Sequence, residues 1–201
     1  MDLNFILILS VILAYLIGSL NFAMIISKIF KLSNPKTHGS KNAGATNMAR
    51  VSGAKYGIIV LLGDALKAII PMLICRYVLN FSDPYLVYVG SAVVIGHLFP
   101  IYFNFKGGKG IATGFGFILV LSPLIALYLL VIFVITVATT RYVSLGSVFA
   151  AFFMPIFSLL LIRDKLNNPS MITLIILGLL LIVMHHENIK KIFNKTETKA
   201  W

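Results

Sequence analysis

The sequence predicts an all-α integral membrane protein of about seven transmembrane helices, N-terminus outside and C-terminus cytoplasmic, forming one domain over residues 1–201. Composition is the first reason. Of 201 residues, 59% are hydrophobic and 11% charged, with a mean hydropathy of +0.98, whereas a soluble domain carries roughly 25% charged residues. The second is that apolar runs long enough to cross a bilayer recur from end to end, separated by short polar connectors. The third is charge: 17 Lys and Arg against 6 Asp and Glu give a net +11, and most of the cations fall in alternate connectors. In a soluble chain that balance would suggest nucleic acid. Here it fits loops facing anionic lipid and anionic ligands, and no nucleic-acid partner is expected. Cys75 lies alone inside an apolar run, so neither a disulfide framework nor a thiolate metal site is available.

The first span runs from Leu3 to Ile29, with Lys28 and Lys31 at its far end and no cation before it. It lacks the basic flank of a cleavable leader, and the positive-inside tendency puts the N-terminus outside and residues 28–55 in the cytoplasm. Gly18, Ser19 and Asn21 offer close packing or hydrogen bonds across the bundle. Asn34-Pro35 stops the helix. Gly57 to Leu79 returns outward and carries Asp64 and Lys67 three residues apart on one face, the spacing of an ion pair bracing the site. Tyr85 to Phe103 crosses inward, with His97 expected as a packing histidine.

Ile111 to Thr140 decides the topology. As one span it would place Arg141 and the basic tail (Lys190, Lys191, Lys195, Lys199) outside. A break at Ser122-Pro123 keeps them inside, as the charge rule favours, because the residue before proline avoids helical angles. Val143 to Ile162 then goes out, Asn167-Asn168-Pro169 turns the chain, and Met171 to Met184 returns.

Three polar stations fall on the cytoplasmic side of this topology. Gly39 to Arg50 reads GSKNAGATNMAR: Gly39, Ser40 and Gly44 for close backbone approach, Asn42, Thr46 and Asn47 as neutral donors, Lys41 and Arg50 as cations, and no acid. Such a loop is suited to phosphate. Lys106-Gly107-Gly108-Lys109-Gly110 precedes a helix start, whose free N–H groups and dipole favour an anion. It lacks Walker spacing and is not a nucleotide site. His185 and Asn188 are three apart and share a face if their helix continues. No residues form a metal constellation, and no cofactor is expected. Polar groups gathered at one interface suit an enzyme joining a phosphorylated metabolite to a lipid tail. The alternative, a membrane carrier of a phosphorylated or other anion, would be expected to show midplane broken helices and often internal repeats, and no repeat is apparent.

GSKNAGATNMAR, the run from Gly96-His97 through Pro100 to Phe105-Lys106-Gly107-Gly108-Lys109-Gly110, and His185-x-x-Asn188 resemble the three motifs of the bacterial acyl-phosphate-dependent glycerol-3-phosphate acyltransferases, in order and spacing over nearly the whole chain. The Asp64-x-x-Lys67 face and the Ser144 region are similar to that family too. Departures are Lys41, where many relatives have a smaller residue, and the preceding His38. The resemblance implies acyl transfer from a long-chain acyl phosphate to the 1-hydroxyl of glycerol 3-phosphate, giving lysophosphatidic acid and phosphate in phospholipid biosynthesis. It implies a multi-pass protein of the bacterial plasma membrane with its site on the cytoplasmic face, and an enzyme upstream that makes the acyl phosphate.

Other glycerolipid acyltransferases pair His with Asp as HxxxxD, and no histidine here has an Asp five positions on. An acyl phosphate is already activated, so positioning and charge stabilisation suffice. Ser40, Arg50, Lys106 and the Gly107-Gly108 backbone are expected to hold phosphate, with Lys109, Gly39 and Ser144 beside them. Asn42, Thr46 and Asn47 orient substrate or hold the loop. His185 and Asn188 sit near the reacting hydroxyl, and the base is either His185 or a substrate phosphate oxygen. Tyr102, Phe103 and Phe105 read as interface anchors, and the acyl chain lies against apolar helix faces.

Overall fold

The computed structural model describes residues 2–200, and every described element is a helix or 3-10 turn. Among the described residues, four helices are long and apolar enough to cross a membrane, or six if each of two bent pairs counts as one span; Ile111–Leu121 is a further short apolar helix. The chain divides into two compact units, Met1–Val120 and Leu121–Trp201.

In the first unit, α1 (Leu3–Gly18) is capped by Asp2, whose side chain accepts from Asn4 N. The expected single first span is broken: α1 and α2 (Phe22–Ile29) meet at 45°. Ser19 and Asn21 make the break tolerable. The Ser19 hydroxyl donates back to the Tyr15 carbonyl, and the Asn21 side chain accepts from Met24 N to cap α2. α3 (Ala45–Ser52) and α4 (Ala54–Tyr77) pack against each other across Gly53. α5 (Asp83–Leu98) starts with Pro84 in its first turn, where a missing N–H costs nothing. Arg76, near the end of α4, pairs with Asp83 at 2.6 Å.

α5 is the buried member of this unit. The apolar stretch through it is 67% buried, against 33% for α4, which leaves Leu62, Leu66 and Ile70 outward for lipid. α1 packs directly on α5, and a Cβ on Gly18 would fall inside the Val93 carbonyl, so the closeness of the two helices requires glycine. A 3-10 turn at Ile101–Phe103 leads to α6 (Ile111–Leu121).

The second unit begins at the break the charge rule favoured. Ser122 has extended backbone angles, caps α7 (Pro123–Thr140) and ends α6. α8 (Val143–Leu161) packs against α7 and α9 (Asn168–Val183). Asn167 caps α9, its side chain accepting from Ser170 N at 2.8 Å. α9 and α10 (His186–Phe193) are bent by 50°, with His185 at the corner.

Candidate functional site

The first motif is half loop and half helix, which corrects the reading of residues 39–50 as one polar loop. Gly44 caps α3, and Ala45–Ser52 is helical, so Thr46 lies in the first turn and Arg50 in the last. Arg50, Ser40 and Thr46 are exposed. Asn47 faces the other way. It is 1% exposed, its amide donates to the carbonyls of Pro35 (2.8 Å) and His38 (3.0 Å), and its Oδ1 accepts from Ser40 N at 2.8 Å. Both of its donor hydrogens and its acceptor are therefore spent on the loop. Of the two roles expected for Asn47, holding the loop is the one its contacts serve. Gly39 has φ +64°, and a Cβ there would strike Asn47 Oδ1, so the clasp needs glycine twice over. His38, exposed, hydrogen-bonds to Thr37.

The second motif differs from expectation in one respect. The amides of Gly107 and Gly108 donate inward, to the carbonyls of Leu98 (3.1 Å) and His97 (3.2 Å) at the end of α5. They tie the loop to the end of α5, so any phosphate contact expected of this backbone shares the loop with those two bonds. The outward-facing polar group of this station is a side chain: Lys106 is exposed, shortly before the N-terminal end of α6. Asn104 (φ 54°) and Phe105 (φ 56°) both adopt left-handed backbone just before it, a costly arrangement that turns the chain at this station.

Lys36 joins this group, a residue sequence reasoning passed over. Its ammonium lies 5.3 Å from the Phe103 ring centroid. Partial burial, and then the nearby charge of Lys106, push its pKa below the usual lysine value. The Lys106 charge is thus felt at Lys36, and residues 28–55 and 101–113 contain no acid to neutralise either lysine.

Beneath the loop lies a buried polar cluster. Asp64 and Lys67, 2% and 4% exposed, pair at 2.9 Å. The Lys67 ammonium donates to Leu20 O at 2.7 Å, the carbonyl at the α1–α2 break, and contacts His97 Nδ1 at 2.8 Å. Thr113 Oγ1 lies 3.2 Å from the same ring nitrogen. A polar bracing pair was expected here; the inclusion of His97 was not.

In the second unit, Ser144 Oγ donates to Glu197 Oε1 at 2.8 Å, and Asn188 Nδ2 donates to the same oxygen at 2.7 Å. Ser144 is in the first turn of α8, where a carboxylate is favoured. The tail is fixed further by Ala200 N donating to Arg141 O and by Lys199 over Tyr142. His185 is 3% exposed, and its Nδ1 donates to Leu181 O at 2.8 Å. A carbonyl only accepts, so Nδ1 carries a proton. Because the helix bends at His185, this residue and Asn188 do not lie on one continuous helical face as expected.

Glu197 was the missed residue of this unit; an acid amid Lys190, Lys191, Lys195 and Lys199 was the available signal. We expect Glu197→Ala to lower transfer activity and destabilise the tail by about 1–3 kcal/mol through its two orphaned donors. Glu197→Gln, which keeps an oxygen acceptor, is expected to recover most of both, checked by turnover and thermal unfolding side by side.

The chain is similar to known proteins over nearly its whole length. The family model described as glycerol-3-phosphate acyltransferase matches residues 8–195. The glycerol-3-phosphate acyltransferase of Coxiella burnetii (strain CbuG_Q212) is 46% identical over 193 residues, covering 96% of this chain and 97% of that one. That of Syntrophotalea carbinolica is 41% identical over 187 residues, covering 92% and 93%. The crystal structure of PlsY (YgiH), an integral membrane glycerol 3-phosphate acyltransferase in its glycerol 3-phosphate form, is similar at a TM-score of 0.88. It shows 36% identity and covers 96% of this chain and 94% of that one. Its lysophosphatidic acid form gives a TM-score of 0.85.

Proposed function

The chain belongs to the glycerol-3-phosphate acyltransferase family, and we propose that it transfers a long-chain acyl group from acyl phosphate to the 1-hydroxyl of glycerol 3-phosphate. The hydroxyl oxygen attacks the acyl carbonyl, and the bond from that carbon to the phosphate oxygen breaks. Phosphate leaves with the electron pair, and the hydroxyl proton passes to a base. The products are lysophosphatidic acid and inorganic phosphate, and the step belongs to phospholipid synthesis.

The observation that carries this reading is the acid-free cationic character of residues 28–55 and 101–113: Lys36 within the influence of the Lys106 charge, with Ser40 and Arg50 exposed. It suits dianionic phosphates, which Arg grips bidentately and Lys as a point charge. We assign Ser40, Arg50, Lys36 and Lys106 to phosphate binding, with Gly39, Asn42, Thr46 and Lys109 as support. Asn188 and His185 are assigned to the acceptor hydroxyl, and Ser144 to substrate or phosphate binding. The base is a substrate phosphate oxygen or His185 Nε2; an unchanged kcat in His185→Ala would select the phosphate. A phosphate leaving group explains why no His-Asp pair of HxxxxD spacing is needed. The membrane reading counts α6 as a seventh, short span, with the N-terminus outside and the site at the cytoplasmic face of the bacterial plasma membrane. Acyl phosphate then comes from an upstream enzyme that phosphorylates or transfers acyl groups.

The test is phosphate release by purified protein in lipid, given palmitoyl phosphate with and without glycerol 3-phosphate, with acyl-CoA in parallel. We expect release that requires both substrates and none with acyl-CoA. Absence of turnover with any acyl donor, together with anion flux in liposomes, would replace this reading by the carrier.

A further inference from the structure

The buried cluster at α5 contains a group that the reaction above does not use. His97 lies at the end of α5, 4% exposed, with Lys67, Asp64 and Thr113 about its Nδ1 at 2.8, 3.4 and 3.2 Å. An ammonium has donors only, so the Lys67 contact makes Nδ1 the acceptor and puts the ring proton on Nε2. Nε2 faces the second motif: a Cβ added to Gly108 would fall on it, and beyond the ring (Cε1 at 3.0 Å) it would meet the Ala43 carbonyl of the first motif at 3.1 Å. The Cβ side of Gly108 therefore meets the His97 ring and the first loop together, while its own amide donates to the His97 carbonyl at 3.2 Å. Backbone and ring of one residue hold Gly108 from two sides, two positions after Lys106.

The cluster does not end there. Lys67 reaches from His97 to Leu20 O at the α1–α2 break, and Asp64 neutralises it. Thr113, in the first turn of α6, closes the ring from the other side of the loop. The loop is thus fixed at its base to α4, α5 and α6 by groups too deep to meet a polar ligand.

We infer that His97 is a positioning residue for substrate binding: seated on Lys67 and Thr113, its ring fixes Gly108 against Ala43 and so sets where Lys106 presents its charge. The inference rests on the phosphate-binding role proposed for that loop. It differs from a packing role in what it moves. A packing histidine contributes to unfolding temperature, whereas a loop-setting histidine contributes to ground-state affinity for the phosphate substrate, which appears in KM more than kcat.

The experiment compares wild type with His97→Ala, His97→Asn and Thr113→Val in lipid. It measures KM and kcat for glycerol 3-phosphate, its Kd by calorimetry, and Tm. His97→Asn restores an acceptor for Lys67 but nothing that reaches Gly108. We expect it to regain much of the Tm lost in His97→Ala while KM and Kd stay raised about 10- to 100-fold in both, the usual cost of a misplacement near 1 Å. Thr113→Val, which only removes a hydroxyl, should raise KM severalfold and keeps the test alive if the His97 variants do not fold. KM and Kd within twofold of wild type in folded variants, or KM recovering together with Tm in His97→Asn, would overturn the positioning role. An active wild type with unmoved variants defeats this inference alone; a wild type that neither turns over nor binds glycerol 3-phosphate defeats the functional reading with it.

Discussion

Lys67→Met is expected to destabilise the protein by about 3–5 kcal/mol, the cost of leaving a buried charge without its partner. Asp64 would remain 2% exposed with no ammonium beside it. The Leu20 carbonyl at the α1–α2 break would lose its donor as well. Asp64→Asn should cost less, about 1–3 kcal/mol, because the ammonium keeps the Leu20 carbonyl and His97 Nδ1 as acceptors. The pair touch, so the double variant should be less destabilised than the sum of the singles. It should still fall short of wild type, because methionine cannot serve Leu20. Thermal unfolding of the four proteins in one detergent reads this directly. Strict additivity, or a Lys67→Met protein melting with wild type, would show that the pair is not what stabilises the break.

That break shows where sequence reading reached its limit. The turn from α6 to α7 was legible because Ser122-Pro123 carries its own cause: proline restricts the residue before it, and serine caps the next helix. The break at Ser19-Leu20-Asn21 has no proline and lies within one apolar run from Leu3 to Ile29. Its stability depends on Lys67, some 47 residues away, which no local pattern announces. The motifs followed the same rule. Their residue types were readable as phosphate chemistry, but which side chains point at a ligand was not. Asn47 and the Gly107 and Gly108 amides look like donors in sequence, yet each is taken up by a carbonyl about ten residues back in the chain, Asn47 by its own loop and the glycine amides by the end of α5. Ser144 and Glu197, 53 residues apart, meet through the final turns of the chain. The helical half of the first motif was hidden for a different reason. Eight residues are too few to form a stable helix alone, and α3 exists because it packs on α4.

Arg50→Ala is expected to lower kcat/KM by about 10²- to 10³-fold, the loss that follows removal of one strong donor from a developing or bound anion. A structural alternative has to be separated from this. Arg50 is in the last turn of α3, where any cation is favoured by the helix dipole. That stabilisation belongs to charge alone, worth about 0.3–1 kcal/mol at an exposed position. Arg50→Lys distinguishes the two, since lysine keeps the charge at the helix end but lacks the planar fork that meets two phosphate oxygens at once. If Arg50 holds phosphate, Arg50→Lys should match wild type in Tm and recover only part of kcat/KM. If Arg50 only caps α3, Arg50→Lys should match wild type in both, and Arg50→Ala should lose activity no further than its small loss of Tm explains. The same pair of substitutions at Lys106 supplies the contrast: a point charge there should tolerate arginine better than position 50 tolerates lysine, because only the fork imposes a geometry that the replacement cannot reproduce.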